Sequence, residues 1–340
     1  DNVKYGFSDL EPLRKKLQFM NKLIKIGSII FFVLIGAAGL LLLVNFNLGS
    51  FMILLLFIVF PIMCVLVGKI SPEVKKEYMT AYKETLVIPT LSQKFDHYTY
   101  SMDGKVTIDD IKNLGIWNTK QEPPLQAHTE DFLTGTYHGV YYEQTDAHIW
   151  YKARANSNET FTAFNGTISK FRFNKKISGR LLLSHGFFGD RCSDGGLPQI
   201  KTENMEFNKI FTIHSEDGHD AFYILTPHFM ECLMKLYNTL PGFASNKTIV
   251  VIFENDTMTI LRGGVRMFEL SIAEKVDFFE AKKTISKEMQ DMLDIVDILR
   301  IGTENKPQDT AENNIAGNRE ALNEEIQDNN DTPVAKFRLK

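Results

Sequence analysis

Two adjacent apolar runs constrain this chain more than anything else in it. Ile26 to Val44 reads IGSIIFFVLIGAAGLLLLV, nineteen residues without a charge. At 1.5 Å per residue a helix of that length is about 28 Å long, close to the hydrocarbon thickness of a bilayer. Six residues later Phe51 to Gly68, FMILLLFIVFPIMCVLVG, supplies eighteen more uncharged residues. The expected structure is a two-helix transmembrane hairpin over 26–68, with NFNLGS as its turn and a kink at Pro61, which membrane helices tolerate. A buried pair of soluble helices is the alternative, and two charge-free runs side by side weigh against it.

The flanks set the expected orientation. Arg14, Lys15, Lys16, Lys22 and Lys25 precede the first run, Lys69, Lys75 and Lys76 follow the second, and the linking turn carries no charge. The positive-inside rule places both termini in the cytoplasm of a multi-pass protein of the plasma membrane. A cleaved signal peptide fits poorly, because the first run is long and no small-residue cleavage site separates it from the second. In the juxtamembrane segment 1–25, LRKKLQFMNKLIK carries Leu13, Leu17, Met20 and Ile24 at helical spacing. Such a helix either lies on an anionic leaflet or extends the first span into the cytoplasm.

Composition excludes some functions. A formal charge of -4 gives no basic footprint for nucleic acid. Cys64, Cys192 and Cys232 are scattered and odd in number, which implies no disulfide framework and fits a reducing compartment.

After the hairpin we expect a helical connector over 69–130, an α+β domain over 131–302 and a disordered polar tail over 303–340. The connector opens with a helix over 72–95 whose face is Val74, Tyr78, Tyr82 and Leu86, broken by Pro89. In TIDDIKNLG, Thr107 and Asp110 form a capping box and Gly115 a stop. From about 131, segments rich in Thr, Val, Ile and aromatics read as mainly antiparallel strands. Residues 184–198 read as a long loop, and FNKIFTIHSEDGHDAFYILT as two strands around a turn at Glu216 to His219. The segment TIVVIFENDTMTILRGG reads as a hairpin turning near Asn255 and Asp256. Thr226 and Pro227 start one helix, and a last helix spans about 281–300 with Ile285, Met289, Met292, Val296 and Leu299 on one seam.

Two clusters invite a chemical reading. HSEDGHDAFYILTPH holds His214, His219 and His228, but neither CxxC nor HExxH spacing occurs, so a turn and a helix start are expected rather than a metal site. The loop HGFFGDRCSDGG holds His185, Asp190 and Cys192. Catalytic triads are assembled from separate elements, so a surface loop is the expected reading. Neither stretch matches a nucleotide-binding loop. Glycosylation patterns at Asn158, Asn165, Asn246 and Asn255 matter only in a secretory lumen. Trp150, Tyr151, Phe161 and Phe164 could line a ligand face but suit a sheet core. No catalytic residue, metal ligand or cofactor is assigned.

The order of parts carries a resemblance. GTYHGVYYE, FNGTISKFRFNKKISG and above all LPQIKTENMEFNKIFTIHSEDGHDAFYILTPHFMECL resemble an uncharacterised bacterial family of two-span membrane proteins, a domain of unknown function. Its marks here are the pair Phe207 and Asn208 and the helix start Leu225, Thr226 and Pro227. The resemblance covers about residues 10–300. It implies a bacterial inner-membrane location, no assigned activity, no catalytic residues to carry over, and a small LemA-type membrane protein as a partner.

The expected function is a membrane-anchored binding or scaffold module that recruits a protein or lipid, with lipids held by the hairpin and its basic flank. The alternative is a membrane-surface enzyme using the 184–198 loop or the 214–228 segment. Part of an oligomeric transport assembly is a third reading, against which stands the lack of intramembrane charge.

Overall fold

The computed structural model describes residues 5–95, 97–118, 123–172, 179–185, 193–242 and 247–301. Two long helices come first, α1 (Phe7–Val44) and α2 (Phe46–Tyr82). They run antiparallel, since Tyr5 bonds Glu77 near one end and Phe31 stacks on Phe60 at 3.9 Å further along. The six-residue turn expected between them is a single residue, Asn45. Its backbone is extended and its side chain accepts from Leu48 N at 3.2 Å, so Phe46 already opens the next helix. Gly49 makes this tight joint possible: a Cβ there would lie 2.6 Å from Leu42 N. Among the described residues one helix, α1, is long and apolar enough to cross a membrane; the apolar helical stretch Phe46–Pro61 is shorter.

The first third of α1 packs on the domain. Leu10, Leu17 and Met20 share a core with Val74, Tyr78 and Tyr82 of α2. Of the two readings of this segment, the structure therefore shows the extension of the helix, its apolar stripe turned to protein. Each of these large side chains contributes about 1.5–3 kcal/mol on burial.

At the end of α2 the ladder widens into a π-helical turn, Lys83–Val87, followed by α3 (Ile88–Leu91). Pro89 lacks an amide hydrogen and its ring crowds the carbonyl four residues back, so a regular turn does not fit there.

Among the described residues the body is one nine-stranded antiparallel sheet in the order β1-β2-β3-β4-β9-β8-β5-β7-β6. The strands are β1 (His97–Asp103), β2 (Gln126–Tyr137), β3 (Val140–Lys152), β4 (Thr160–Arg172), β5 (Leu181–His185), β6 (Gln199–Ile200), β7 (Thr212–Ser215), β8 (Ile249–Glu254) and β9 (Thr257–Gly263). The stretch 69–130, expected to be helical, thus also contributes β1 and the start of β2. Alternation divides the sheet into two faces: Leu181, Leu183, Val251 and Phe253 enter the main core, Leu182, Val250 and Ile252 a second one. The main face is covered by the α2 end, α7 (Pro227–Thr239) and α8 (Phe278–Ile301), and the second by α4 (Ile108–Asn113) with Trp117.

Several local expectations hold. Thr107 and Asp110 form the capping box of α4, Thr226 caps α7 with Pro227 in its first turn, and Asn255 with φ 55 turns the β8–β9 hairpin. One does not. Around the 216–219 turn only β7 is a strand, flanked by α5 (Met205–Ile210) and α6 (Gly218–Ile224). Asn204 caps α5 by accepting from Phe207 N, and Asp217 caps α6 by accepting from His219 N. Ala221, Ile224 and Leu225, spaced three and four apart, bury one helical face.

Candidate functional site

The unusual chemistry of this fold lies where α2 meets the sheet. Lys83, on the π-helical turn, holds Asp131 of β2, with Nζ 2.6 Å from Oδ1 and 2.8 Å from Oδ2. Tyr100 of β1 donates its hydroxyl to the same carboxylate. Asp131 sits in left-handed backbone, φ 55, where the β2–β3 register slips between Glu130 and Leu133. The bulge turns an acidic side chain inward that a regular strand would not place there. Burial pushes the Asp131 carboxyl above its usual range, although the Lys83 ammonium pulls the other way. Burial and the neighbouring Asp131 charge likewise raise the Tyr100 hydroxyl.

A second acid, Asp146 of β3, is 1% exposed. Burial, then the charge of Asp131, push its carboxyl up to about 8. Its oxygens meet Met267 N at 3.1 Å, Thr167 Oγ1 at 3.1 Å and, more distantly, Arg266 Nε at 3.8 Å. Met267 and Arg266 belong to the irregular segment 264–273 that follows β9. Arg266 also pairs with Glu130, and with Glu269 at 3.2 Å. Gln144 donates to Met267 Sδ, and Phe268, φ 60, packs edge-on against Tyr100.

The far end of the same segment is tied to α1. Gln18 Nε2 donates to Ile272 O at 2.7 Å and Ala273 O at 3.1 Å, and Arg14 Nη1 reaches both carbonyls at 3.4 Å. Tyr78 of α2 adds a hydroxyl contact to Ser271 O at 3.5 Å. The helix pair is thus joined to the sheet twice, through Lys83 and through this strap. What the arrangement provides is a charged joint between the helix pair and the sheet whose two inner acids, Asp131 and Asp146, are buried. Asp131 and Asp146 are too covered to meet a substrate directly.

The clusters singled out in the sequence are dispersed. His185 ends β5, with Nδ1 2.6 Å from Ile210 O and Nε2 3.2 Å from Tyr237 Oη, so both its nitrogens are engaged in packing α5 and α7. Asp190 and Cys192 lie outside the described residues, as do Asn246 and the tail 303–340. His214 lies within β7, opposite Leu182 and Gln199, its Nε2 3.6 Å from Asp194. His219 is exposed in the first turn of α6, and His228 exposed in that of α7. Among the described residues no three His, Cys, Asp or Glu side chains are grouped to hold a metal ion. The four aromatics split between faces. Trp150 stacks on His148 at 4.9 Å, Tyr151 lies on Phe161 at 5.7 Å, and Phe164 is buried in the second core.

Phe207 is fully buried, and Asn208 locks Thr202 with three contacts, accepting from its amide and hydroxyl and donating to its carbonyl. Leu225 is buried beside the capped start of α7. These residues serve the architecture.

Lys83, Tyr100, Asp131, Asp146 and Arg266 were missed in the sequence. Two had a signal. Lys83 follows Tyr82 and precedes Leu86 and Val87 on the buried side of a helix, and Asp146 shares the inward period of Tyr142 and Gln144.

The architecture defines an α+β domain carried on a long antiparallel helix pair. Residues 162–301, from β4 to α8, match the family described as "Protein of unknown function (DUF3137)", and that domain is found here over those residues. The match is shorter than the resemblance drawn from the sequence, and leaves α1, α2 and β1 to β3 outside it. No curated protein matches the chain. A solved structure, the crystal structure of the mycobacterial trehalose monomycolate transport factor A, TtfA, aligns with 61% of this chain and 90% of its own, at 10% identity and a TM-score of 0.28. A likeness that slight carries no argument.

Proposed function

We propose that this chain is a two-span membrane protein whose cytoplasmic domain is a binding or scaffold module, recruiting a protein or lipid partner to the inner membrane. The observation that carries the reading is the distribution of apolar exposure along the helix pair. Ile29, Phe32, Val33, Leu40 and Leu43 of α1 and Phe51, Leu54, Phe57, Ile58 and Val59 of α2 are all exposed. Nearer the domain the same helices bury Leu17, Met20, Val74 and Tyr78. Apolar surface in water costs about 25 cal/mol per Å², and a continuous patch of this size marks a membrane or partner contact. A bilayer that received α1 alone would leave the apolar flank of α2 wet, whereas Phe51 to Gly68 supplies a second uncharged run.

Exposed Lys15, Lys16, Lys22, Lys25, Lys75 and Lys76 mark the boundary on the domain side and suit an anionic cytoplasmic leaflet. The buried Lys83–Asp131 pair and the broad sheet favour a domain that holds a shape for a partner. The family resemblance suggests a LemA-type membrane protein as that partner.

Topology tests this directly. A cysteine is introduced at Asn47, at the joint, or at Gln126, in the domain, of the full chain with its own Cys64, Cys192 and Cys232 replaced by serine, and probed with a membrane-impermeant maleimide on intact cells and on inverted vesicles. The proposal expects Asn47→Cys to react from outside and Gln126→Cys from the cytoplasmic side. Reaction of both from one side, or recovery of the chain in the soluble fraction, overturns it.

A further inference from the structure

The end of the β3–β4 hairpin combines features that the charged joint leaves unused. Trp150 and Tyr151 stand near the end of β3, and Phe161, 46% exposed, stands at the start of β4. Neighbouring strand residues point to opposite faces, so Trp150 stacks on His148 on one face while Tyr151 lies on Phe161 on the other. A hairpin with one face in water would keep that face polar, and this one carries rings on both. Lys152 and the exposed Arg154 follow, and no acid occurs from Ala147 to Asn158. The turn holds its own shape, with Ala153 N donating to Glu159 O at 2.9 Å and Ser157 N to Arg154 O at 3.0 Å. At the opposite end of the sheet the β8–β9 turn carries Glu254 and Asp256 instead.

The way the helix pair meets the sheet sets which end of the sheet lies toward the apolar runs. Lys83 pairs with Asp131, beside Asp146. Further along, Ile88 O accepts from Tyr98, which is opposite Gly135, and Phe95 stacks on Tyr142, also opposite Gly135. The chain thus passes down the sheet from the Asp146 row to the Tyr142 row as it leaves α2. Followed backward, α2 rises in the sense in which β3 runs from Asp146 to Lys152. From Lys83 to Gly68, where the second apolar run ends, the rise is about 22 Å at about 1.5 Å per residue. From Asp146 to Lys152 the strand advances about 20 Å at about 3.3 Å per residue. Side by side, the two reach the same height. We propose that the β3–β4 hairpin end, residues 150–161, is a further membrane contact, seated in the headgroup layer of an anionic leaflet beside the helix pair. Trp and Tyr rings suit that layer, because their bodies are apolar and their polar edges stay wet. Lys152 and Arg154 meet lipid phosphates, as exposed Lys22 and Lys25 do at the edge of the first apolar run. The inference rests on the two-span reading and adds to it a second attachment, which fixes the sheet against the bilayer away from the helices.

The test is depth-dependent quenching in the full chain with Cys64, Cys192 and Cys232 replaced by serine, reconstituted in phosphatidylcholine vesicles containing about 30% phosphatidylglycerol. A cysteine at Asn156 in the hairpin, Glu254 at the far end of the sheet or Leu40 in α1 carries a small fluorophore, quenched by lipids with a nitroxide on the headgroup or deep in the acyl chain. The headgroup nitroxide should quench the label of Asn156→Cys at least about three-fold more than that of Glu254→Cys, and the acyl-chain nitroxide should quench that of Leu40→Cys. Lys152→Glu with Arg154→Glu, both at the surface, should bring the Asn156→Cys signal down toward that of Glu254→Cys, and so should vesicles of phosphatidylcholine alone. Deep quenching at Leu40→Cys with equal signals from Asn156→Cys and Glu254→Cys overturns the hairpin contact and leaves the two spans standing. Absence of deep quenching at Leu40→Cys overturns both. Quenching at Asn156→Cys that ignores the charge reversals and the lipid charge means proximity without binding, and also overturns the proposal.

Discussion

Lys83 Nζ stands 2.6 Å from Asp131 Oδ1 with both side chains less than a tenth exposed, one on a widened helical turn and the other in left-handed backbone. Neither local geometry is favoured alone, and each delivers its charge to the other. The pair fixes the end of α2 to β2 with a strength that depends on both partners being present, because an unpaired buried charge is far costlier than no charge.

Lys83→Met should therefore destabilise the domain by about 3–5 kcal/mol, more than a surface lysine would. Asp131→Asn added to Lys83→Met should recover most of that loss, since asparagine tolerates the left-handed conformation and leaves no charge behind. Denaturant titration of both variants in detergent measures this. A single variant within about 1 kcal/mol of the native chain would show that the pair is not a buried ion pair.

Stability should also depend on the Asp146 proton. Its folded value of about 8 lies above the ordinary 3.8, so the folded state binds a proton more tightly than the unfolded chain. The stabilisation is complete below the unfolded value, declines as pH rises between the two, and is lost above the folded one. The amount is on the order of a few kcal/mol. Thermal melts of the native chain should thus lose midpoint temperature from mildly acidic to alkaline pH, and Asp146→Asn should flatten that slope. Equal slopes in the two would assign the pH dependence elsewhere.

What could be read in advance was whatever is written locally. The apolar runs, the Thr107 capping box, the Thr226–Pro227 start and the Asn255 turn rest on neighbours in sequence, and the structure contains each. α6 was misread because AFYILT is rich in strand formers, while its Ala221, Ile224 and Leu225 contacts follow a helical period set by the Asp217 cap. The charged joint as an assembly was not legible for a different reason, although Lys83 and Asp146 each stood on an inward-facing period. Lys83, Tyr100, Asp131, Asp146 and Arg266 come from five segments, and only the pairing of β1, β2 and β3 with the strap laid over them brings the charges together.

The one-residue joint between α1 and α2 depends on Gly49, where a Cβ would meet Leu42 N at 2.6 Å and Leu42 Cα at 2.8 Å. Both are backbone atoms, so a larger residue must push the helices apart. Cysteines at Phe31 and Phe60, whose rings stack at 3.9 Å, placed in a chain whose Cys64, Cys192 and Cys232 are serine, should be joined efficiently by a short bifunctional maleimide. Adding Gly49→Leu should reduce the cross-link several-fold. An unchanged yield would mean that the close approach at Leu42 is not what holds the pair in register.

Within the matched domain, Phe207, Asn208 and Thr226 should rank as structure dictates. Phe207 is fully buried against Phe211 at 4.7 Å, and Phe207→Ala should cost about 3–5 kcal/mol through the cavity it leaves. Asn208→Ala strands the amide and carbonyl of Thr202, a partly buried pair, and should cost about 1–3 kcal/mol. Thr226→Ala removes one cap at 3.3 Å and should cost about 1 kcal/mol. A partner-binding role would instead leave stability untouched while weakening association, so unfolding curves that coincide with the native one, for Phe207→Ala above all, would move these residues from the core of the domain to its working surface.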